Sequence, residues 1–379
     1  GEYMSTIVIS PVRTKKDRRK FLTFPWKIYQ DDHLWVPPLI PERAKFIDPQ
    51  RGPFFRSGEA EFFIAYREGD PVGTICAAED PPINVKRGEK ACLFGFFEYI
   101  KDYGVFRSLV EKVADWGQSR GLTTLYGPYN LDYEDSYGVL VEGRDRPPAL
   151  LCGHNPRYYQ EFMERFGFKP ARAQNIALYV DFDGSPQFKR LKRIANRVRE
   201  KGWVTIRNAD FDNWEHEIDV LHRLLNLSLA HLDDNIGWRR DAVESLVAPF
   251  KRIADPEMIL FADVEGKTVG FFPGVPDLNE IFIHVNGLRY PWNYLQLLWR
   301  MMYQKPNNLT IKSVLVLPEY WNTGVSILLF DELVSRAVSR GYIGTDLSIT
   351  SADNPNSVIM AENMGAKIYK RWQVYRLGL

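Results

Sequence analysis

Ala65-Tyr66-Arg67-Glu68-Gly69-Asp70-Pro71-Val72-Gly73 and Ala262-Asp263-Val264-Glu265-Gly266-Lys267-Thr268-Val269-Gly270 share the pattern A-x-x-E-G-x-x-V-G. In the first copy the flanking runs Phe62–Tyr66 and Val72–Cys76 are apolar and β-prone, so the stretch reads as two strands joined by a tight Glu-Gly turn. Two more blocks recur in the same order. Gly104 and Gly324 each lead, sixteen positions on, to an Arg-Gly pair preceded by serine, Ser119-Arg120-Gly121 and Ser339-Arg340-Gly341. Asn155-Pro156 runs through an apolar-periodic stretch to Gly167-Phe168, and Asn354-Pro355 runs likewise to Gly365-Ala366. Three blocks in register order imply an internal duplication.

Working outward, each half presents a strand that feeds a helix: Leu93–Phe97 in the first, Ile311–Leu317 in the second. Leu328, Leu329, Leu333, Ala337 and Val338 fall on one face at helical spacing. The Ser-Arg-Gly triplets close both helices, with a cation at the negative end of the dipole and glycine beyond it. Strands are predicted next at Leu122–Tyr126 and Tyr342–Ile349, and later at Ile176–Val180 and Trp372–Tyr375. Ser185–Lys201 reads as a basic helix and Trp203–Arg207 as a strand. The halves differ by insertions. The second carries an extra helix over Pro291–Gln304, and the first an extra Tyr- and acid-rich loop, Tyr129–Ala149. The expected domains are residues 1–189 and 190–379.

Composition narrows the class. The 379 residues are 45% hydrophobic and 26% charged, which suits a globular protein with a sizeable core. A formal net charge of +1 gives no general pull towards nucleic acid or an acidic membrane. Cys76, Cys92 and Cys152 show neither metal-ligand spacing nor an even-numbered framework, so no metal site is expected and free thiols are. No apolar stretch approaches the roughly 20 residues of a membrane span. The expectation is a cytoplasmic protein with no membrane or nucleic-acid partner and an oligomeric state that the sequence does not fix.

Strand pair, strand-glycine-helix, strand, then N-x-helix-G resembles the GNAT superfamily of acyl-CoA N-acyltransferases, and does so twice. Phe21-Leu22-x-Phe24-Pro25-Trp26, Trp35-Val36-Pro37-Pro38-Leu39 and Gly95-Phe96-Phe97-Glu98 resemble a bacterial tandem group of that superfamily without an assigned substrate. The resemblance implies an α/β (α+β) fold of two tandem domains, each a mixed central sheet flanked by helices. It also implies acetyl-CoA or another acyl-CoA as cofactor and a small-molecule amine as acceptor.

The superfamily's R/Q-x-x-G-x-G/A motif wraps a pyrophosphate in backbone N–H groups at a helix N-terminus. In the second half, Trp321-Asn322-Thr323-Gly324-Val325-Ser326 matches it in part, with Trp321 replacing the basic or amide residue. Asn322, Thr323, Gly324, Val325 and Ser326 are therefore the candidate cofactor-binding residues. The first half offers Lys101-Asp102-Tyr103-Gly104-Val105-Phe106, where Phe106 is bulky and Asp102 would face the phosphates. That site reads as degenerate. The resemblance further implies that a backbone N–H at Val316 or Leu317 polarises the thioester carbonyl. Asn354 either contacts the pantetheine arm or caps its helix. The superfamily's usual acid, a tyrosine seven residues after this asparagine, is Ala361 here.

His284, in the strand-like run Glu280–Val285, and Asp277 are the candidate catalytic residues: an imidazole as base, a carboxylate to hold an amine. Asp277 and Asn279 equally suit a turn. Glu98 ends the first central strand, and Asp132, Glu134 and Asp135 crowd the inserted loop with Tyr129, Tyr133 and Tyr137, a mixture that suits a cationic amine or a solvated loop. The expected function is acyl-CoA-dependent N-acylation of an unidentified amine by direct attack on the thioester. Two alternatives stay open: a non-catalytic ligand-binding or scaffold protein, and an aminoacyl-tRNA-dependent transferase of Fem type.

Overall fold

A computed structural model describes residues 5–132, 138–231, 237–354, 358 and 361–379. Tyr133, Glu134, Asp135 and Tyr137 of the acid-rich loop lie outside them. The first sheet runs β1 (Ile7–Pro11), β2 (Glu59–Arg67), β3 (Asp70–Glu79), β4 (Ala91–Tyr99), β5 (Thr124–Gly127), β16 (Tyr375–Gly378) and β7 (Lys169–Pro170). The second runs β6 (Val139–Glu142), β15 (Lys367–Gln373), β8 (Asn175–Asp181), β14 (Gly344–Ser351), β12 (Asn308–Ile311), β11 (Lys267–Pro276), β10 (Ile259–Val264) and β9 (Val204–Asn208). A short β13 (Leu315–Val316) pairs with β11 off that path.

The duplication reaches the backbone. Both hairpins close on two residues of positive φ, Glu68 and Gly69 at +51° and +84°, Glu265 and Gly266 at +50° and +76°. Those are the dihedrals of a turn whose twist matches the strands. Each hairpin also carries a bulge one step inside the pattern, at Ala65/Tyr66 and at Ala262/Asp263. The central helix packs on each sheet over the pattern's last glycine. A Cβ on Gly73 would stand 2.6 Å from Leu109, and one on Gly270 would stand 2.8 Å from Leu329. Glycine is there because a helix side chain fills the place of its own.

Sheet pairing departs from the linear cut near residue 190. The β8 strand precedes that point yet lies between β14 and β15 in the second sheet. The last strand, β16, returns to the first sheet and pairs with β5. The inserted segment of the first half is also less solvated than its composition suggests. Tyr129 and Leu131 are buried in the first domain, β6 joins the second sheet, and Ala149, Leu150 and Cys152 are buried. Each sheet end therefore contains chain from the other half.

One element reads differently in three dimensions. The run Glu280–Val285 is not a strand: Asn279–Phe282 is a helical turn leading into the helix Pro291–Tyr303. A short apolar run with β-branched residues cannot be told from a buried helical turn by pattern alone. Pro291 at the first helical position and Tyr290 as N-cap start the expected extra helix.

Candidate functional site

The site is easiest to build from the two equivalent helix N-termini. Helix Tyr103–Ser119 is capped by its own chain: Asp102 Oδ1 accepts from the amides of Gly104 at 2.8 Å and Val105 at 3.3 Å. Arg67 then pairs with Asp102 Oδ2 at 2.7 Å and holds that carboxyl below its ordinary range, against the opposing effect of burial. The first half's anion position is thus filled by a side chain. Phe106, by contrast, turns into the core and stacks on Phe97, so Asp102 rather than bulk at Phe106 closes this end.

Helix Val325–Ser339 has no such cap. Its N-cap is Gly324, at φ +92°, with no side chain to offer, and the first bond into the helix runs from Leu328 N to Gly324 O. The amides of Val325, Ser326 and Ile327 have no protein acceptor among the described residues. An exposed turn of N–H groups at the positive end of a helix dipole favours an anion. Thr323 spends its hydroxyl on Tyr320 O at 2.6 Å, and Asn322 is exposed with φ +64°. A Cβ on Gly324 would meet Val198 Cγ2 at 2.6 Å, because the basic helix Pro186–Lys201 packs against this loop.

The sheets repeat the contrast. In the second, β12 and β14 pair only from Asn308–Gly344 to Thr310–Asp346; the chain then bends at Ser313, φ +56°, and β13 leaves on β11 alone. Two parallel strands therefore splay apart beside the uncapped helix. In the first, β4 and β5 part after Leu93–Tyr126, but the gap is taken by the protein itself. Tyr129 N donates to Phe94 O at 2.7 Å, Asn130 Oδ1 accepts from Phe96 N at 2.7 Å, and Gly95 is pressed against the Tyr129 carbonyl.

The two oxyanion candidates separate on hydrogen bonding. Leu317 N donates to Val269 O at 2.9 Å, so its amide is committed to β11. Antiparallel pairing alternates, which turns the Val316 amide, one residue back, towards the splay. The Trp321 indole donates to the Val316 carbonyl at 2.9 Å on that same side, which gives Trp321 a structural task.

Between the domains lies a cleft that linear reading left unassembled. One chamber of about 240 Å³ is lined by Phe21, Trp35, Phe96, Glu98 and His154 from the first half and by Phe282 from the second. A second chamber of about 350 Å³ is lined by Asp277, Asp346 and Tyr369 among others; Pro148 and Asn279 border both. Glu98 is held by the hydroxyls of Tyr29, at 2.9 Å, and Tyr159. Burial pushes this carboxyl up to about 7, and the two tyrosine bonds only partly offset it. His154 shares Nε2 with Asp32 Oδ2 at 2.7 Å, while its buried Nδ1 has no hydrogen-bond partner among the described residues. Burial lowers the His154 pKa more than the Asp32 carboxylate raises it, which favours the neutral ring. Cys152, two residues earlier, lies 3.9 Å from Lys312 Nζ at the bend of the splayed strand. That contact joins the His154 loop to the splay. Lys312 in turn stands 3.6 Å from Asp346, which accepts from Tyr369 at 2.6 Å.

Of the expected catalytic pair, Asp277 faces the cleft and His284 does not. Asp277 Oδ1 accepts from Leu150 N and Asn279 N, the turn role, and its carboxyl is pushed up to about 7, first by burial and then by Asp346 and Glu280. Asn279 donates to Pro148 O at 3.0 Å. His284 sits exposed after the helical turn and is absent from the cleft lining, because a helical backbone points it outward where a strand would have pointed it in. Asn354 O accepts from Val358 N, and residues 355–357 between them lie outside the described residues. Ala361 is buried against Ile176 and Leu178, so no acid acts from that position. Pairs such as Tyr29–Glu98 and Asp32–His154 were missed; only Glu98 carried a local signal, as an acid ending an apolar strand.

Residues 229–366 match the model of the acetyltransferase (GNAT) family. A tandem GNAT protein from the clavulanic acid biosynthesis pathway superposes with a TM-score of 0.59 at 10% identity, over 98% of each chain. This chain has a tandem GNAT fold. Among curated proteins, the bacterial ceramide synthase of Caulobacter vibrioides (strain NA1000 / CB15N) is 29% identical over 98% of this chain and 97% of that one. Protein YghO of Escherichia coli (strain K12) is 26% identical over 95% and 93%.

Proposed function

We propose that this tandem GNAT protein is an acyl-CoA-dependent N-acyltransferase that acylates the amine of a long-chain amphiphile, with the acyl donor in the second domain and the amine in the interdomain cleft. The observation that carries the reading is the open splay beside an uncapped helix end in the second domain, against a plugged and capped counterpart in the first. The residues present fit coenzyme A. The amides of Val325, Ser326 and Ile327 suit its pyrophosphate, and the gap beyond Thr310–Asp346 suits an extended pantetheine arm. When bound, the acyl thioester supplies an activated carbonyl.

The chain's own residues then divide the work. The Val316 amide, turned into the splay, donates to the carbonyl oxygen as charge develops there. His154 Nδ1 accepts the proton of the attacking amine, with Asp32 fixing the tautomer that leaves Nδ1 bare. Glu98, poised near neutrality and held by two tyrosines, attracts the ammonium form and takes the first proton as it becomes the free amine, leaving the second, released on attack, to His154. Nitrogen gains the acyl carbon, the carbon–sulfur bond breaks, and the thiolate leaves to be protonated by solvent, since Ala361 offers no acid.

The acceptor class rests on two supports. Phe21, Trp35, Phe96 and Phe282 make an apolar chamber around the acid and the imidazole, which suits an alkyl chain ending in an amine. A full-length relative is named a ceramide synthase, and a ceramide is the fatty amide of a long-chain base. The test is incubation with acetyl-, hexadecanoyl- and octadecanoyl-CoA plus a sphingoid base, with free thiol and amide followed by mass spectrometry. Release of free thiol with formation of the long-chain amide, lost in His154→Ala, is expected. Acylation of short water-soluble amines alone would remove the amphiphile, and no amide from any pair would remove the enzyme.

A further inference from the structure

The helix Pro291–Tyr303, the insertion that distinguishes the second domain, is built inside out. Its buried residue is Asn293, which accepts from Tyr290 N and donates to Gln296. Its apolar residues face solvent instead: Leu295 is 70% exposed, Met302 64%, and Trp292, Leu298 and Trp299 each 58%. Surface helices of globular proteins bury that stripe. A contiguous exposed patch of this kind marks a contact with something apolar.

We propose that this helix lies in the headgroup–acyl boundary of an anionic lipid bilayer and seats the protein on the membrane. Tryptophan and tyrosine with leucine and methionine are the composition of an interfacial helix, and indole and phenol rings favour that depth. From Arg289 to Lys305 there are three cations, Arg289, Arg300 and Lys305, and no acidic residue. Arg19, on the basic N-terminal helix, adds a fourth by donating to Arg289 O at 2.8 Å. A second copy of this chain is a poor occupant, because pairing two such helices would set cation against cation with no acid within the segment to answer it. No described helix is long and apolar enough to cross a membrane, so contact is with the surface. The near-neutral total charge, which spoke against a membrane partner, averages over this local asymmetry.

The helix is also fastened to the cleft. Leu297 packs with Leu150, Leu151, Ile281 and Phe282, and Phe282 lines the chamber that holds Glu98 and His154. Trp26 Nε1 donates to Asn286 Oδ1 at 2.6 Å, so the insertion is braced on the first domain too. The surface proposed to meet lipid thus borders the cleft mouth, independently of which reaction occurs inside.

The test is co-flotation of the full chain with vesicles of phosphatidylcholine and phosphatidylglycerol, beside sedimentation velocity without lipid. The wild type is expected to float with anionic vesicles and bind pure phosphatidylcholine more weakly. Leu295→Glu/Leu298→Glu, at positions with no core contacts to lose, should reduce binding by at least about tenfold. A milder second variant, Trp299→Ser, should reduce it in the same direction, and unchanged thermal melting shows that both fold. Equal flotation of the variants, or no flotation of the wild type, overturns the proposal. So does a wild-type dimer that ignores vesicles and is dissolved by the same substitutions.

Discussion

Asp102 and Gly324 are the N-caps of the two central helices, and they leave those helix ends in different states. Asp102 fills the helix N-terminus with a carboxylate, and Arg67 locks it there. Behind Gly324 the amides of Val325, Ser326 and Ile327 meet no protein acceptor among the described residues. The neighbouring gaps follow suit: residues Gly127–Leu131 enter the first, while in the second the β12–β14 pairing ends at Thr310 and no described segment replaces it. A duplicated fold can thus keep its hairpins, bulges and glycine–helix packing while, in one copy, a capping side chain and an inserted loop fill the helix end and the strand gap. The first copy is then free to supply other groups, here Glu98, Asp32 and His154, to the shared cleft.

The comparison can be pressed hardest on the division of labour. His154→Ala should lower turnover by about a thousandfold, within the range for a general base, while coenzyme A affinity stays within a factor of about two. A parallel fall in affinity would place His154 in the donor site and blur the two roles. Next in size, Ser326→Glu should weaken coenzyme A binding by at least about a hundredfold, because its carboxylate lands where the pyrophosphate would lie. The same substitution should raise thermal stability slightly, since an acid in a helix's first turn suits the dipole. It separates binding from folding better than Gly324→Glu, which would also drive a side chain into Val198.

Smaller effects test the first domain. Burial raises the Glu98 carboxyl from 4.5 to about 7, so the fold favours the protonated form. That contribution is fully present below about 4.5 and is lost as pH rises through about 7. Glu98→Gln, which keeps an acceptor for Tyr29 and Tyr159, should therefore melt a few degrees above the wild type near pH 8, with the gap closing near pH 5. A constant gap across that range would mean that Glu98 titrates normally. Smallest of all, Asp102→Ala should cost about 1 kcal/mol of stability for a lost cap and create no second coenzyme A site, because the Gly127–Leu131 plug remains.

How far the sequence reached follows from the range of each interaction. The hairpins were legible because Glu-Gly at the turn demands positive φ, and that demand is local. The second central helix was legible from apolar spacing and the extra helix from the unequal length of the two repeats, which could not say that the latter's apolar face stays outside. Strand exchange was hidden: alternation tells which face of β8 or β16 is buried but names no partner sheet. His284 was misplaced because Glu280–Val285 fits either period over so few residues. Tyr29–Glu98 and Asp32–His154 join positions 69 and 122 residues apart, and nothing in either segment announces the other.

The asymmetry between the copies is met most directly by calorimetric titration of coenzyme A into the wild type, Ser326→Glu and Asp102→Ala. One site per chain in the wild type, none in Ser326→Glu and one in Asp102→Ala is the result expected. Two sites in the wild type, or one undiminished in Ser326→Glu, would contradict it.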